Sequence, residues 1–330
     1  MPRLSIIIPC LSGPSEFDGT LVSVLQNRPR DCEVLVAHAE PYDDPYNLAG
    51  EVRFLPVGGE PSLVQTFNAA LQEARGDVVH VVGCGVEVEE HWTEPALAHF
   101  VDPDVAAVSP LLVCRDDRKR VAAAGVAYRT AGSRKLAAAG TKLPNPRLAR
   151  TPIAGPTLRA GFYRREVLSA LGGLDEHIAD EHADLDLALT LARLEQRIIF
   201  EPASRLSESL EPKQQHRSGA VVRGRSAERL FWRNAAQQGW ALSLLLHPWA
   251  IAGGFAGEAP QINSLLHLIG RAAAVLECGA VRAYQKKIAT AAEQLSSAAQ
   301  PSGAVVSLTV ARAKAAHAAQ EQRTPRRKAA

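Results

Sequence analysis

The stretch LVQTFNAALQEARGDVVHVV, residues 63–82, decides the fold class. Its first twelve residues carry apolar side chains at helical spacing, and the apolar run at 78–82 reads as a strand. The same alternation extends toward the N-terminus, with an apolar strand at 4–9, a helical pattern at 20–26 and strands at 33–37 and 52–57. Strands alternating with helices predict an α/β architecture, a mostly parallel sheet with helices on both faces. Ligands in such sheets bind beyond the carboxyl ends of the strands. The positions of interest are therefore Pro9 and the four residues after it, His38 and the two after it, and Gly83, Cys84 and Gly85.

Toward the C-terminus come a strand at 105–112, a polar loop around 115–120 and a proline-rich approach, LPNPRLARTPIAGP, at 143–156. The following segment, GFYRREVLSALGGLDEHIADEHADLDLALTLARLEQRIIFEP (161–202), sets an acidic cluster at the head of a long amphipathic helix. Asp180, Glu181, Asp184 and Asp186 precede or interleave with Leu185, Leu187, Leu189, Leu191 and Leu194, so carboxylates stand where a helix N-terminus favours them. One carboxylate so placed suits general-base chemistry. The run at 198–202 reads as a buried strand.

From 217 the chain becomes arginine-rich, RSGAVVRGRSAERLFWRNAAQQGW, and then alanine-rich and helical to about residue 300. The segment 301–330 ends in TPRRKAA and has too little apolar surface to order alone, so disorder is expected there. The expected organisation is a first half at 1–112, a second half at 113–212, a helical extension at 213–300 and the tail.

Composition excludes rather than identifies. The 330 residues are 46% hydrophobic and 22% charged, with net charge +2, which gives no general reason to expect nucleic acid. Five scattered cysteines form neither a disulfide framework nor a zinc spacing, so a reducing cytoplasm is expected. Pro9 and Asp18 interrupt the apolar N-terminus, which lacks a signal-peptide core. The run WALSLLLHPWAIAGGFAG, 240–257, is divided by His247, Pro248 and a glycine pair and reads as a buried or membrane-surface helix rather than a span. Trp232, Trp240, Trp249 and the nearby arginines suit peripheral contact with the inner face of a membrane.

Taken in order, LSIIIP, EVLVAHAEPYDD, FNAALQEARGDVVHVV, WTEPALAHFVDPDVAAVSPLL, GFYRREVLSALGGLDE and ADLDLALTLARLEQRIIFEP resemble the family 2 glycosyltransferases. The resemblance covers roughly residues 4–210 and implies a GT-A-like fold of the nucleotide-diphospho-sugar transferase type, with the nucleotide-sugar-binding half at 1–112 and the acceptor-binding half at 113–212. It also implies inverting transfer of a hexosyl group from a nucleotide-diphospho-sugar to a glycan, lipid or protein acceptor. Where the family has a base-pairing aspartate, this chain has His38. The family's metal-holding Asp-x-Asp falls on Gly83, Cys84 and Gly85, which offer no hard oxygen side chain, so no metal ligand is assigned. Mg²⁺ or Mn²⁺ enters only through displaced ligands such as Glu87, Glu89, Glu90 and His91, which otherwise read as a solvated acidic start to a helix.

The catalytic-base motif aligns with Ala183 to Leu187 and leaves Asp184 as base; a helix-capping role for Asp184 is equally open. Gly161 and Asp186 fall on the acceptor side. A later metal- or diphosphate-binding histidine of some relatives falls near Glu208. Arg217, Arg223, Arg225, Arg229 and Arg233 follow, and guanidinium groups hold diphosphates bidentately without a metal. Arg225 and Arg229 are the donor-binding candidates, the alternative being a solvated basic face or a site for acidic lipid. Asn68, His80, Gly155, Gly172 and Gly173 read as structural. Two functions follow: an inverting sugar transferase with an altered donor site, or a catalytically inactive glycosyltransferase-like binding or scaffold protein.

Overall fold

Strand β1 (Leu4–Cys10) is buried along its whole length, because it runs parallel between β2 (Cys32–His38) and β4 (Val78–Val81). A strand covered on both faces needs a continuous apolar run, which LSIIIPC supplies. β3 (Val52–Pro56) extends this parallel set on the far side of β2. α1 (Pro14–Asn27) begins six residues before the helical pattern at 20–26, with proline in the first turn, where its missing N–H is harmless. α2 (Leu63–Glu73) starts at a capping box in which the Ser62 hydroxyl accepts from the Gln65 N–H and the Gln65 amide oxygen accepts from the Ser62 N–H. The computed structural model describes residues 3–11, 14–39, 42, 44–128, 134–209, 218–256 and 261–299. Positions 12, 13 and 40, Arg217 and the 301–330 segment lie outside the described residues.

Beyond β4 the chain forms β5 (Val86–Val88), α3 (Thr93–Ala98), β6 (Val105–Cys114), β7 (Val121–Ala123), the hairpin strands β8 (Val126–Tyr128) and β9 (Arg134–Leu136), β10 (Phe162–Arg164), α4 (Arg165–Ala170), α5 (Asp180–Arg193) and β11 (Arg197–Glu208). The main sheet runs β3-β2-β1-β4-β10-β6-β11-β5, with β7 on β6. β10 enters antiparallel to both β4 and β6, so the two expected halves share one sheet. β11 is longer than the run at 198–202 because the pairing slips between Glu201 and Arg205. Pro202, which has no N–H to donate, sits at that irregularity. Cores form on both sheet faces, one around Ile6, Ile8 and Trp92, the other around Ile7, Phe67 and Leu187.

The extension comprises α6 (Ala220–Gln238), α7 (Trp240–Ala256), α8 (Gln261–Leu276) and α9 (Cys278–Ala299). α6 and α8 cross at two glycines. A β-carbon on Gly224 would lie 2.0 Å from the His267 carbonyl oxygen, and one on Gly270 would lie 2.1 Å from that of Val221. No helix among the described residues is long and apolar enough to cross a membrane.

Candidate functional site

At the carboxyl end of β4 the chain turns through Gly83, Cys84 and Gly85. Gly85 takes a φ of 84°, a left-handed conformation that suits glycine. Its N–H donates to the Thr20 hydroxyl at 2.9 Å, and its carbonyl accepts from the Arg115 guanidinium at 2.6 Å. Cys84 Sγ donates to the Pro9 carbonyl at 3.4 Å, tying this turn to the end of β1. The Cys84 carbonyl accepts from Arg159 Nη2 at 3.3 Å, and Arg159 Nε pairs with the Glu208 carboxylate. Glu208 ends β11, in register with Val86 and Cys114. The late-motif position is thus brought beside the turn at 83–85, joined to it by a guanidinium no sequence motif contained. Arg159 stands two residues before Gly161, and its only sequence signal is a basic residue beside a motif glycine.

His38, at the end of β2, lies edge-on to Phe54, and Tyr42 stacks on Phe54 with centroids 5.1 Å apart. Phe17 meets Tyr42 edge-on at 5.0 Å, completing an aromatic wall beside the ends of β1 and β2. Phe17 is buried, and the half-buried Tyr42 and Phe54 pack against the core that contains it.

The residues present do not fit the divalent cation that the family resemblance implies. Positions 83–85 contribute backbone and one soft thiol, whereas Mg²⁺ and Mn²⁺ take hard oxygens. The downstream acids are engaged by arginines, Glu87 at 3.3 Å by Arg115, which also holds the Gly85 carbonyl, and Glu89 at 3.5 Å by Arg118. His91 is exposed and meets Glu90 and Glu94. Among the described residues no three His, Cys, Asp or Glu side chains gather to hold a metal. The cation on the Cys84 carbonyl is a guanidinium.

The acidic cluster of α5 fans out rather than converging. Asp180 accepts from the Leu63 and Val64 N–H groups at 2.9 and 3.2 Å, capping α2 instead of its own helix. Glu181 accepts from the Ser218 N–H at 2.8 Å. Asp184 lies inside the helix, not at its cap, and is 4% exposed. Both its oxygens are held by Arg134, at 2.8 Å from Nε and 2.6 Å from Nη2. Burial pushes the Arg134 guanidinium down, but the Asp184 carboxylate outweighs it and the net shift is upward, with Glu208 and Glu181 adding to it. Arg134 therefore feels both Asp184 and the Glu208 arm at the end of β11.

Asp186, two residues on, points to the extension, where Arg233 bridges it to Asp175. Burial raises the Asp186 carboxyl against the pull of Arg233; Asp175 is pulled down to about 2, Arg233 overcoming the effect of burial. Arg233 also lies over the Tyr284 ring, 4.0 Å from its centroid. Asp186 is thereby an anchor for α6 and α9. Gly161 is structural as well: a β-carbon there would lie 2.4 Å from the Tyr163 hydroxyl oxygen, and its carbonyl accepts from the Val81 N–H.

Arg225 and Arg229 are likewise committed elsewhere. Both pair with Glu277, and Arg229 Nη1 donates to the His177 carbonyl at 2.6 Å. They join α6 to the end of α8 and to the loop before α5, while Arg159 stands at the 83–85 turn and Arg134 on Asp184. Arg223 donates to the Ser218 carbonyl. His80 is buried and stacked on Phe162. Its Nε2 accepts from the Trp92 indole at 3.0 Å, and burial drops its pKa to about 3. Asn68 donates to the Leu174 carbonyl and accepts from its N–H, a structural role.

A cleft of about 550 Å³ between α4 and α9, lined by Asp77, Arg164 and Arg165, opens at the other end of β4. Its arginines serve backbone carbonyls, Arg165 that of Gly76 and Arg164 those of Phe100, Asp102 and Val105.

The sheet order, the antiparallel β10 and the turn at the end of β4 define a GT-A fold, the fold of nucleotide-sugar glycosyltransferases. Among solved structures the chain is similar to GalNAc-T7 with UDP, GalNAc and Mn²⁺, with TM-score 0.55, 17% identity and coverage of 71% of this chain. It spans 48% of that protein, about half its length. It is also similar to the mannosyltransferase PcManGT from Pyrobaculum calidifontis in complex with GDP-Man and Mn²⁺, with TM-score 0.49, 18% identity and coverage of 89% of this chain and 87% of that one. No family model and no curated protein matches the sequence. At these identities the likeness establishes the fold.

Proposed function

We propose that the chain binds a nucleotide-diphospho-sugar at the carboxyl ends of β1, β2 and β4 and acts as a family 2-like inverting glycosyltransferase with guanidinium groups in place of the divalent cation. The observation that carries this reading is the junction of the 83–85 turn with Arg159 and Glu208. Pro9, Gly83, Cys84 and Gly85 form the floor under the diphosphate, and the His38, Phe54 and Tyr42 wall takes the nucleobase. Arg159 and Arg134 replace Arg225 and Arg229 as diphosphate ligands, since guanidinium binds phosphate oxygens bidentately. Asp184 is the acceptor base. It takes the acceptor hydroxyl proton while that oxygen bonds to the anomeric carbon, and the bond to the diphosphate breaks with its electron pair leaving on the nucleotide. Because Arg134 occupies both Asp184 oxygens, the base is freed when the donor diphosphate draws Arg134 away. The acceptor is a glycan, lipid or protein hydroxyl.

That same ion pair supports the second reading, a binding or scaffold protein without turnover, in which Arg134 keeps Asp184 permanently engaged. Titration calorimetry against nucleoside diphosphates and nucleotide sugars, with Mn²⁺ and then with chelator, tests the donor site. Binding of one nucleotide that survives chelation is expected; affinity that depends on Mn²⁺, or no binding in either condition, refutes it. Asp184→Asn then separates the readings. Loss of transfer with donor binding intact supports the enzyme, and unchanged turnover removes Asp184 as base.

A further inference from the structure

α7 and α8 are built inside out. Facing inward on α7 are Ser243 and Ala250, with His247 largely covered; facing inward on α8 are Ser264, His267 and Arg271. Three of the inward polar contacts converge on one buried acid of α6, Glu228. His247 Nε2 lies 2.7 Å from it, Arg271 Nη1 donates at 2.8 Å, and Trp232 Nε1 donates at 2.7 Å. Facing outward are Leu242, Leu244, Leu245 and Trp249 on α7, with Leu245 73% and Trp249 72% exposed. On α8 they are Ile262, Leu265 and Ile269, at 66%, 57% and 51%, spaced i, i+3, i+7 along one stripe.

A helix in water turns its apolar stripe to the core and its polar side out. Here the polar side is held in by the Glu228 network and by the α6–α8 glycine crossing, so the apolar side faces outward and requires an apolar medium. Exposed apolar patches of this size mark membrane or protein contact.

We propose that the α7–α8 face docks on an anionic lipid bilayer, with both helices lying in the plane of the interface. Three observations favour lipid over a protein partner. The sequence has no Asp, Glu, Lys or Arg at 239–257 or at 259–270, so the polar rim typical of a protein interface is missing from these helices. The exposed apolar side chains of α7 spread over an arc of about 160°, from Leu242 to Leu244 at about 100° per residue, which a fluid medium covers more readily than a flat partner. Charge is segregated along the chain: residues 218–330 hold 14 of the 37 Lys and Arg but 5 of the 35 Asp and Glu, leaving 23 basic against 30 acidic residues before them. Counting the 301–330 segment, which carries six of those 14, the extension is basic on an acidic body, an arrangement that a negative surface orients, and on α9 Arg282 and Lys286 are exposed one turn apart. The helices lie on the bilayer rather than span it, since α7 has 17 residues with Pro248 inside it and no described helix is both long and apolar enough to cross.

The test is co-sedimentation of the full chain with phosphatidylcholine vesicles and with vesicles containing phosphatidylglycerol, alongside sedimentation velocity without lipid. Binding to the anionic vesicles is expected, weakening in high salt. Leu245→Ser with Trp249→Ser, and separately Leu265→Ser with Ile269→Ser, should each reduce partitioning by about tenfold or more with circular dichroism unchanged. Arg282→Gln with Lys286→Gln, which leaves the apolar face intact, should remove the preference for the anionic vesicles. A protein that ignores both vesicles, or binds them equally well after the serine substitutions, overturns the proposal. So does a dimer that the serine substitutions dissociate while vesicles remain unbound, which makes the face an interface between copies. None of these outcomes depends on the donor site, whose failure is read by nucleotide titration.

Discussion

Replacing Arg233 by methionine tests whether Asp186 serves the acceptor site or holds the extension in place. The substitution keeps much of the side-chain volume but removes the cation between Asp175 and Asp186, both of which pair with it. Removing one partner of a buried ion pair costs about 3–5 kcal/mol, because the remaining charge is left without compensation. The guanidinium over Tyr284, 4.0 Å from its centroid, adds roughly 1 kcal/mol. Urea unfolding followed by circular dichroism should thus show Arg233→Met destabilised by about 5 kcal/mol at neutral pH. Asp186→Asn leaves Arg233 its bond to Asp175 and should cost less. The double variant should fall short of additivity by about 1–3 kcal/mol, since both changes break one network. The pH dependence carries a sign. Burial already raises Asp186, and without Arg233 its folded pKa rises further above the unfolded value, so its penalty is absent below the unfolded pKa and grows as pH rises through the folded one. The deficit of Arg233→Met should therefore shrink toward acid. A deficit below about 1 kcal/mol, or strict additivity with Asp186→Asn, refutes the anchoring argument.

Three further outcomes are expected. Arg159→Gln and Arg134→Gln should each weaken nucleoside diphosphate binding in chelator by about 10- to 100-fold, the worth of a charge-assisted hydrogen bond, as read by calorimetry; unchanged affinity removes that arginine from the site. His80 and His182 have folded pKa values lowered to about 3 and about 4 from 6.5, chiefly by burial, so the stability they contribute is fully present above 6.5 and is lost as pH falls through those values. Between pH 7 and pH 5 thermal unfolding should report a loss of about 2 kcal/mol per histidine, and a flat profile would contradict the buried neutral rings. Gly224→Val should unseat α8 from α6, since a β-carbon at Gly224 would sit 2.0 Å from the His267 carbonyl oxygen; a variant that melts like the parent excludes the close crossing.

Much of the fold was legible because the signals are local. The run LSIIIPC, the helix before β4 and the apolar stretch at 78–82 announce their conformations through spacing alone, and they emerge as β1, α2 and β4. The acidic head of α5 was visible for the same reason, yet its use was not. Asp180, Glu181, Asp184 and Asp186 look like one cluster in sequence and serve α2, Ser218, Arg134 and Arg233 in space. Residues two apart on a helix point to nearly opposite sides, which sends Asp184 to Arg134 and Asp186 to Arg233, while Asp180, at the first position of α5, reaches back to the start of α2, so proximity in sequence does not gather carboxylates at one point. The arginines of α6 were read as donor ligands because they are numerous and follow the motif; the fold gives Arg225 and Arg229 to Glu277. For α7, His247, Pro248 and the glycine pair argued against a span, and the exposure of Leu244, Leu245 and Trp249 shows that the helix is not a buried one.

What the sequence determined by itself is the order and type of the elements from β1 to β4 with β6, α5 and part of β11, the absence of hard side-chain ligands at Gly83, Cys84 and Gly85, and the presence of an unusually apolar helical extension. Those properties depend on neighbours a few residues away and on side-chain chemistry. The tertiary structure alone decided which charges meet. Arg159 reaches Glu208 across 49 residues and Arg134 reaches Asp184 across 50. It also decided which side of α7 and α8 turns outward, because the Glu228 network, assembled from three helices, claims their polar faces. An ion pair or a buried face is a property of chain closure, and no periodicity in a single segment encodes the partner that closure will bring.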